Sequence, residues 1–276
     1  MPDADAVGWG VRDLTVRYGE HVALANVTVD LLPREVVAVV GGDGAGKTSL
    51  LRALAGAVPP AGGEVRAPGV RRLGFMPTTA GVWLDLTVDQ NVEFVGAAHG
   101  VRGEALAERS AVLLEAAGLG DARSRLARHL SGGMRQKLAF SLAMIHEPEL
   151  LILDEPSTGV DPVSRVELWR LIAQAAASGA AIIMATTYLD EAERASHVTV
   201  LDEGRVLLEG SPGAVLESMP GHVRETATPE RRERAWRRGR SFREWSPEAP
   251  LAGASNVADL EDAVVGAALA REASNG

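Results

Sequence analysis

At 276 residues the chain has room for one large domain and an appendage, and 46% hydrophobic with 24% charged residues is the balance of a soluble globular protein. The absence of cysteine excludes disulfides and cysteine-held zinc and fits a reducing compartment, while a net charge of −9 argues against bulk affinity for nucleic acid. No apolar run is long enough to cross a bilayer, and the acidic start Met1-Pro2-Asp3-Ala4-Asp5 lacks the layout of a signal peptide, so a cytosolic location is expected.

Residues 11–29 alternate apolar and polar side chains in the manner of antiparallel strands, with a turn near Tyr18-Gly19-Glu20. The Tyr18 ring is either an ordinary strand side chain or a flat face for adenine to stack on. Glu35-Val36-Val37-Ala38-Val39-Val40 is the apolar, β-branched run of a buried parallel strand. It leads into Gly41-Gly42-Asp43-Gly44-Ala45-Gly46-Lys47-Thr48, and Ser49 then begins a leucine-spaced helix that ends at Gly56. A strand, a glycine loop and a helix in that order give G-x-x-x-x-G-K-T a mechanism. The glycines let successive N–H groups converge on phosphate oxygens, and the helix aims its positive end at the same point. Lys47 would neutralise the outer phosphates, and the Thr48 hydroxyl would complete a Mg²⁺ shell. The chain has one other lysine, Lys137, and otherwise uses arginine, so an ammonium at position 47 points to a need for a compact charge. Residues 41–48 are therefore expected to hold a nucleoside triphosphate.

Pro59-Pro60-Ala61-Gly62-Gly63 reads as a turn, and residues 71–77 as a strand stopped by Pro77. Thr87-Val88-Asp89-Gln90 has the form of a capping box. From there to His129 the chain is alanine-rich and helical, broken near residues 100–103 and 118–121, and reads as a separate helical subdomain of about 86–145. In Leu130-Ser131-Gly132-Gly133-Met134-Arg135-Gln136, Ser131 is a plausible N-cap of the next helix. Two glycines behind a cap imply a close approach to the backbone. They mark either a second anion site or a glycine loop entering a core helix.

Leu150-Leu151-Ile152-Leu153-Asp154-Glu155 is a buried strand that ends in two acids, at the end of a parallel strand where such sheets bind ligands. Asp154 can hold Mg²⁺ and Glu155 can orient and deprotonate a water; standing alone, such a pair is also what solvated loop ends look like. Asp161-Pro162 starts a helix that runs to about Ala177 and stops at Ser178-Gly179. A strand over 181–186, a helix over 187–195 and a strand over 198–201 complete an α/β pattern with a mainly parallel sheet. Residues 224–243 are dense in arginine, with Trp236, Phe242 and Trp245 interleaved or adjacent. Read sharply, this is a patch for anionic lipid or nucleic acid. The acids Glu225, Glu230, Glu233 and Glu244 dilute the charge and favour a charged linker or a solvated helix. Residues 247–256 read as a linker and 257–270 as one short terminal helix.

This order of motifs resembles the ATP-binding subunit of ABC transporters over about residues 8–215. The most specific element is Ser131-Gly132-Gly133, which separates that family from other P-loop proteins. The resemblance implies a P-loop NTPase fold, with an N-terminal antiparallel β subdomain and an inserted helical subdomain. It divides the chain into an ATP-binding domain of 1–220 and a C-terminal extension of 221–276. It also makes Tyr18 the adenine-stacking residue, and Gly41, Gly42, Asp43, Gly44, Ala45, Gly46, Lys47, Thr48 and Ser49 the ATP cradle. Thr48 and Asp154 become Mg²⁺ ligands, and Glu155 the catalytic carboxylate. Ser131, Gly132 and Gly133 would serve an ATP held by a second subunit, which Asp161 would contact. The branch it resembles, through Leu86-Thr87-Val88, residues 188–193 and Leu260-Glu261-Asp262, serves drug, lipid or polysaccharide exporters. That implies a separate multi-span permease, a location on the cytoplasmic face of the cell membrane, and no nucleic-acid partner.

Two positions depart from the family pattern, and a third, Asp43, is a smaller oddity. Thr78 stands where the family places glutamine, Thr187 where it places histidine, and Asp43 where asparagine is common. A threonine hydroxyl is shorter than imidazole and carries no positive charge. The expectation is a site that binds ATP with Mg²⁺ but cleaves it slowly, in one half of an asymmetric pair. The alternatives are a homodimer in which water compensates, or a non-transport member of the family acting on nucleic acid or the ribosome.

Overall fold

In the computed structural model, which describes residues 8–79, 81–247 and 258–275, the early alternation produces a hairpin. Strand β1 (Trp9–Tyr18) pairs antiparallel with β2 (His21–Leu31), and the expected turn joins Tyr18 to His21. Strand β3 (Val36–Val40) is buried along its whole length and runs into α1 (Lys47–Leu54). Its side chains alternate between two cores, as a strand's must. Val36, Ala38 and Val40 face one core, and Val37 and Val39 the other.

After α1 the chain forms β4 (Gly62–Arg66), which pairs with β1, so residues read as the end of a turn extend into an edge strand. Strand β5 (Leu73–Met76) starts later than expected, because Val70–Arg72 take a tight 3₁₀ turn. The helical subdomain contains α2 (Val88–His99), α3 (Gly103–Ala116) and α4 (Gly132–Met144). Thr87 opens α2 with the reciprocal capping box expected of it, its hydroxyl accepting from Gln90 N–H while the Gln90 side chain accepts from Thr87 N–H.

Then follow β6 (Leu150–Asp154), α5 (Pro162–Ala177), β7 (Ala181–Ala185), α6 (Leu189–Ala192), β8 (His197–Asp202), β9 (Arg205–Gly210) and α7 (Pro212–Glu217). Helix α6 is one turn, shorter than the 187–195 expected, because the Thr186 hydroxyl donates to Glu191 and accepts from Tyr188 N–H, holding the approach in a turn. The six-stranded sheet has the order β5-β6-β7-β3-β8-β9, parallel except where β9 returns antiparallel to β8. Helix α1 and the β2-β1-β4 sheet supply the core on one face, while the helical subdomain and α5 supply that on the other.

The arginine-dense segment is neither a linker nor a solvated helix. It forms a three-stranded antiparallel sheet, order β10-β12-β11, from β10 (His222–Thr226), β11 (Ala235–Arg238) and β12 (Ser241–Ser246). The acids that dilute its charge are ion-pair partners. Arg224 lies 2.8 Å from Glu244 and 2.7 Å from Glu230, and Arg243 lies 3.5 Å from Glu225. Val223 and Trp245, paired across β10 and β12, supply its buried apolar contact. Most of the expected linker lies outside the described residues. The terminal helix α8 (Leu260–Asn275) begins and ends later than expected, and Leu260, Ala263 and Ala267 enter the same core as Leu208 and Val215.

Candidate functional site

The glycine loop is shaped by close approaches from beneath. A Cβ at Gly41 would lie 2.2 Å from the Leu201 carbonyl oxygen, and one at Gly46 would lie 2.7 Å from that of Ala23. Gly46 caps α1 with φ of +104°, which a side chain opposes. At Gly42 and Gly44 a Cβ would meet nothing, so the open side of the loop faces free space. Lys47 is 7% exposed, and its Nζ donates to the carbonyls of Gly41 (2.7 Å) and Gly42 (3.1 Å). The one ammonium of the loop is thus folded over its first turn.

The first helical turn of α1 meets the end of β6. Thr48 Oγ1 donates to Asp154 Oδ1 at 3.3 Å, and Thr78 also hydrogen-bonds the Asp154 carboxyl. Burial pushes that carboxyl above the usual carboxylate range; the two hydroxyls oppose the shift, and Glu155 adds to it. A hydroxyl and a buried carboxylate are the hard oxygen donors that Mg²⁺ takes, and a cation there would offset the desolvation of Asp154. The residues fit the ion.

Glu155 lies one residue beyond β6 with φ of +52°, and its N–H donates to Ala185 O at 3.0 Å. Its Oε2 accepts from the Thr158 hydroxyl at 3.1 Å. With Tyr18, His21, Ala23 and residues 43–49 it lines a cleft of about 270 Å³. Tyr18 is exposed on the cleft wall, so the structure brings together the aromatic face, the loop and the carboxylate. His21 and Ala23 were not singled out in the sequence, although the hairpin register that sets His21 opposite Tyr18 carries the signal.

Ser131 caps α4, accepting from Met134 N–H at 3.2 Å. The close approach implied by its glycines comes from the chain itself: a Cβ at Gly133 would lie 2.4 Å from Ser164 Oγ, on α5. Asp161 caps that helix through Val163 N–H (3.1 Å) and Ser164 N–H (3.0 Å), and hydrogen bonds from Ser164 hold its carboxyl below the usual range. Gly132 lines a different cavity, about 280 Å³, with Arg135, Gln136, Thr158 and Gly159. The Ser131-Gly132-Gly133 stretch therefore does not share the cleft of Lys47. Thr187 is exposed, two residues past Ala185, which pairs with Asp154 across β6 and β7.

Residues 24–158 match the ABC transporter family. The chain is 42% identical over 196 residues to a probable multidrug ABC transporter ATP-binding protein, YbhF, of Escherichia coli (strain K12). That match covers 67% of this chain and 34% of the relative, so the chain spans about a third of that protein's length. It is 36% identical over 222 residues to the Nod factor export ATP-binding protein I of Cupriavidus metallidurans, covering 76% of this chain and 73% of that one. Among solved structures it resembles an ATP binding subunit of an ABC transporter, with a TM-score of 0.70 and 28% identity over 76% of this chain and 92% of that one.

Proposed function

Because the chain belongs to the ABC transporter family, we propose that it binds and hydrolyses ATP to power a separate membrane permease. The observation that carries this reading is the meeting of Thr48 and Asp154 beneath a cleft that Lys47 and Glu155 also reach. In it, Tyr18 stacks on the adenine and residues 41–49 cradle the phosphates through backbone N–H groups. Lys47 exchanges its two carbonyl partners for phosphate oxygens. Thr48 and Asp154 hold Mg²⁺, which when bound neutralises phosphate charge. Glu155 orients the attacking water and accepts its proton, with Thr158 fixing one carboxylate oxygen.

Residues 1–220 form the ATP-binding unit and 221–276 its extension. Two such units face each other, each offering Ser131, Gly132 and Gly133 to the other's nucleotide, with Asp161 at the contact. The location of Gly132 on a cavity apart from the Lys47 cleft supports that division of labour. The permease docks in the groove between Phe75, Pro77 and Gly81 and the helical subdomain, where Trp83 and Phe94 are exposed and stack edge-on at 4.4 Å. No helix among the described residues is long and apolar enough to cross a membrane. The subunit works from the cytoplasmic face, attached through the permease. The names of the relatives, multidrug and Nod factor export, support export of a cargo that the permease selects.

The pair is asymmetric. Thr78 occupies Asp154 with a hydroxyl, and Thr187 offers no imidazole to the γ-phosphate, so this chain's own site is the slower of two. Steady-state ATPase measurements on the purified chain, with Glu155→Gln as blank, test this. The expected rate lies about 10²–10⁴-fold below that of an active acid–base site. A rate of about 1–10³ s⁻¹ that Glu155→Gln abolishes would end the asymmetric reading.

A further inference from the structure

The turn between β8 and β9 is wedged under the glycine loop. Gly204 N–H donates to Ala45 O at 3.0 Å, and Gly204 O accepts from Ala25 N–H at 2.8 Å. A Cβ at Gly204 would lie 2.5 Å from Ala23 O, so backbone meets backbone with no slack. One small turn thereby touches the phosphate loop and the β2 segment on the cleft wall. Its two central residues, Glu203 and Gly204, both take positive φ, +44° and +73°. Paired with the Asp202–Arg205 closure, this is the tight hairpin geometry that a glycine accepts readily and a glutamate resists. The turn holds a sparsely populated backbone at a point of close contact, and something must secure it.

The terminal helix supplies that hold. Arg271 reaches from α8 to lay its guanidinium on the turn. Its Nη2 lies 2.7 Å from Asp202 Oδ2 and 2.9 Å from Glu203 Oε2, and its Nη1 donates to Asp202 O at 3.3 Å. A planar fork can grip a backbone carbonyl and two carboxylates at once. The Arg271 side chain is 21% exposed, so these contacts are partly shielded from water. The opposite end of α8 is anchored elsewhere, where Arg238 of β11 pairs with Asp259 and lies 3.8 Å from Asp262.

We propose that Arg271 is a positioning residue for the phosphate loop: by clamping the 202–204 turn it holds Gly204 against Ala45, and through that contact the C-terminal helix sets the affinity for nucleotide. The inference rests on the reading that residues 41–48 hold a nucleoside triphosphate. Arg271 contacts Asp202 and Glu203 rather than the loop itself, and the turn it clamps meets the loop through Gly204 at Ala45 and, one residue before Asp202, through the Leu201 carbonyl beneath Gly41.

Equilibrium binding of a fluorescent ATP analogue with Mg²⁺ to the full-length chain tests it, across wild type, Arg271→Ala, Arg271→Lys, Arg238→Ala and Lys47→Ala, with Tm recorded for each. Arg271→Ala is expected to weaken binding about 2- to 30-fold, the span of coupling carried through an intermediate contact. Arg271→Lys, which keeps the charge, should recover part of the loss. Arg238→Ala loosens the other end of α8 and should leave the dissociation constant at the wild-type value. Wild-type affinity in Arg271→Ala overturns the proposal, and so does an equal weakening in Arg238→Ala, which would trace the effect to general loosening. In both cases loss of binding in Lys47→Ala keeps the nucleotide site itself standing. Absence of binding by folded wild type sinks the site and the proposal together.

Discussion

Thr48 Oγ1 lies 3.3 Å from Asp154 Oδ1 across 106 positions of sequence. The parallel order β6-β7-β3 makes this contact, because it brings the carboxyl end of β6 level with the loop that follows β3. A hydroxyl at the start of a helix and an acid at the end of a strand become one oxygen-rich corner. The buried carboxyl in that corner carries a cost that a bound cation would remove.

Asp154 titrates above the usual carboxylate range, chiefly through burial. A raised folded-state value means that ionised Asp154 opposes folding. Its neutral form contributes stability in full below the unfolded-state value, and that contribution is lost as pH rises through the folded-state value. Thermal unfolding without divalent cations should therefore give Asp154→Asn a higher Tm than wild type at neutral pH. The gap should close as pH drops below the ordinary carboxylate range. The same variant should lose Mg²⁺-dependent nucleotide binding. A lower Tm at neutral pH would contradict the assignment of Asp154 as a carboxylate under strain of burial.

Placing the family's glutamine at position 78 and its histidine at position 187 should speed the site. In Thr78→Gln with Thr187→His, steady-state hydrolysis is expected to rise about 10²-fold or more, and Glu155→Gln in that background should abolish the gain. An unchanged rate would show that glutamine and histidine are not what this site lacks.

Gly133 faces Ser164 with no room for a methyl group. Gly133→Ala should destabilise the chain by about 1–3 kcal/mol through overpacking between α4 and α5. Ser164→Gly in the same chain should return most of it, as read from denaturant midpoints. Additive losses in the double variant would contradict the packing argument.

The C-terminal sheet depends on Trp245, which is 3% exposed and donates from its indole N–H to Pro220 O at 2.7 Å. Trp245→Ala should cost about 3–5 kcal/mol. Because a Cβ at Gly266 of α8 would lie 3.1 Å from the same ring, hydrogen exchange in α8 should accelerate as well. Stability within about 0.5 kcal/mol of wild type would mean that the sheet is not built around this residue.

What the sequence discloses follows from how local each signal is. Residues 41–48 carry their chemistry in one unbroken stretch, and the apolar runs ending at Val40 and Asp154 announce buried strands. Ser131, Thr87 and Asp161 each reveal a helix start because a cap acts within three residues. The C-terminal sheet hides because charge takes the place of apolar alternation. Arg224 finds Glu244 across twenty positions, and Arg243 finds Glu225 across eighteen, pairings that no local period displays. Strand β4 escapes notice because its five residues include two glycines and two charges. The glycines of 132–133 are legible as a close approach, but that Ser164 makes it is a fact of tertiary packing.

Whether the loop carrying Lys47 grips a triphosphate is read straight from equilibrium binding of labelled ATP with Mg²⁺ to the purified chain. Saturable binding is expected in wild type and in Glu155→Gln, and none in Lys47→Ala of unchanged Tm. Saturable binding that survives loss of the Lys47 ammonium, or its absence from a cooperatively folded wild-type chain, would mean that this loop does not hold the nucleotide as described.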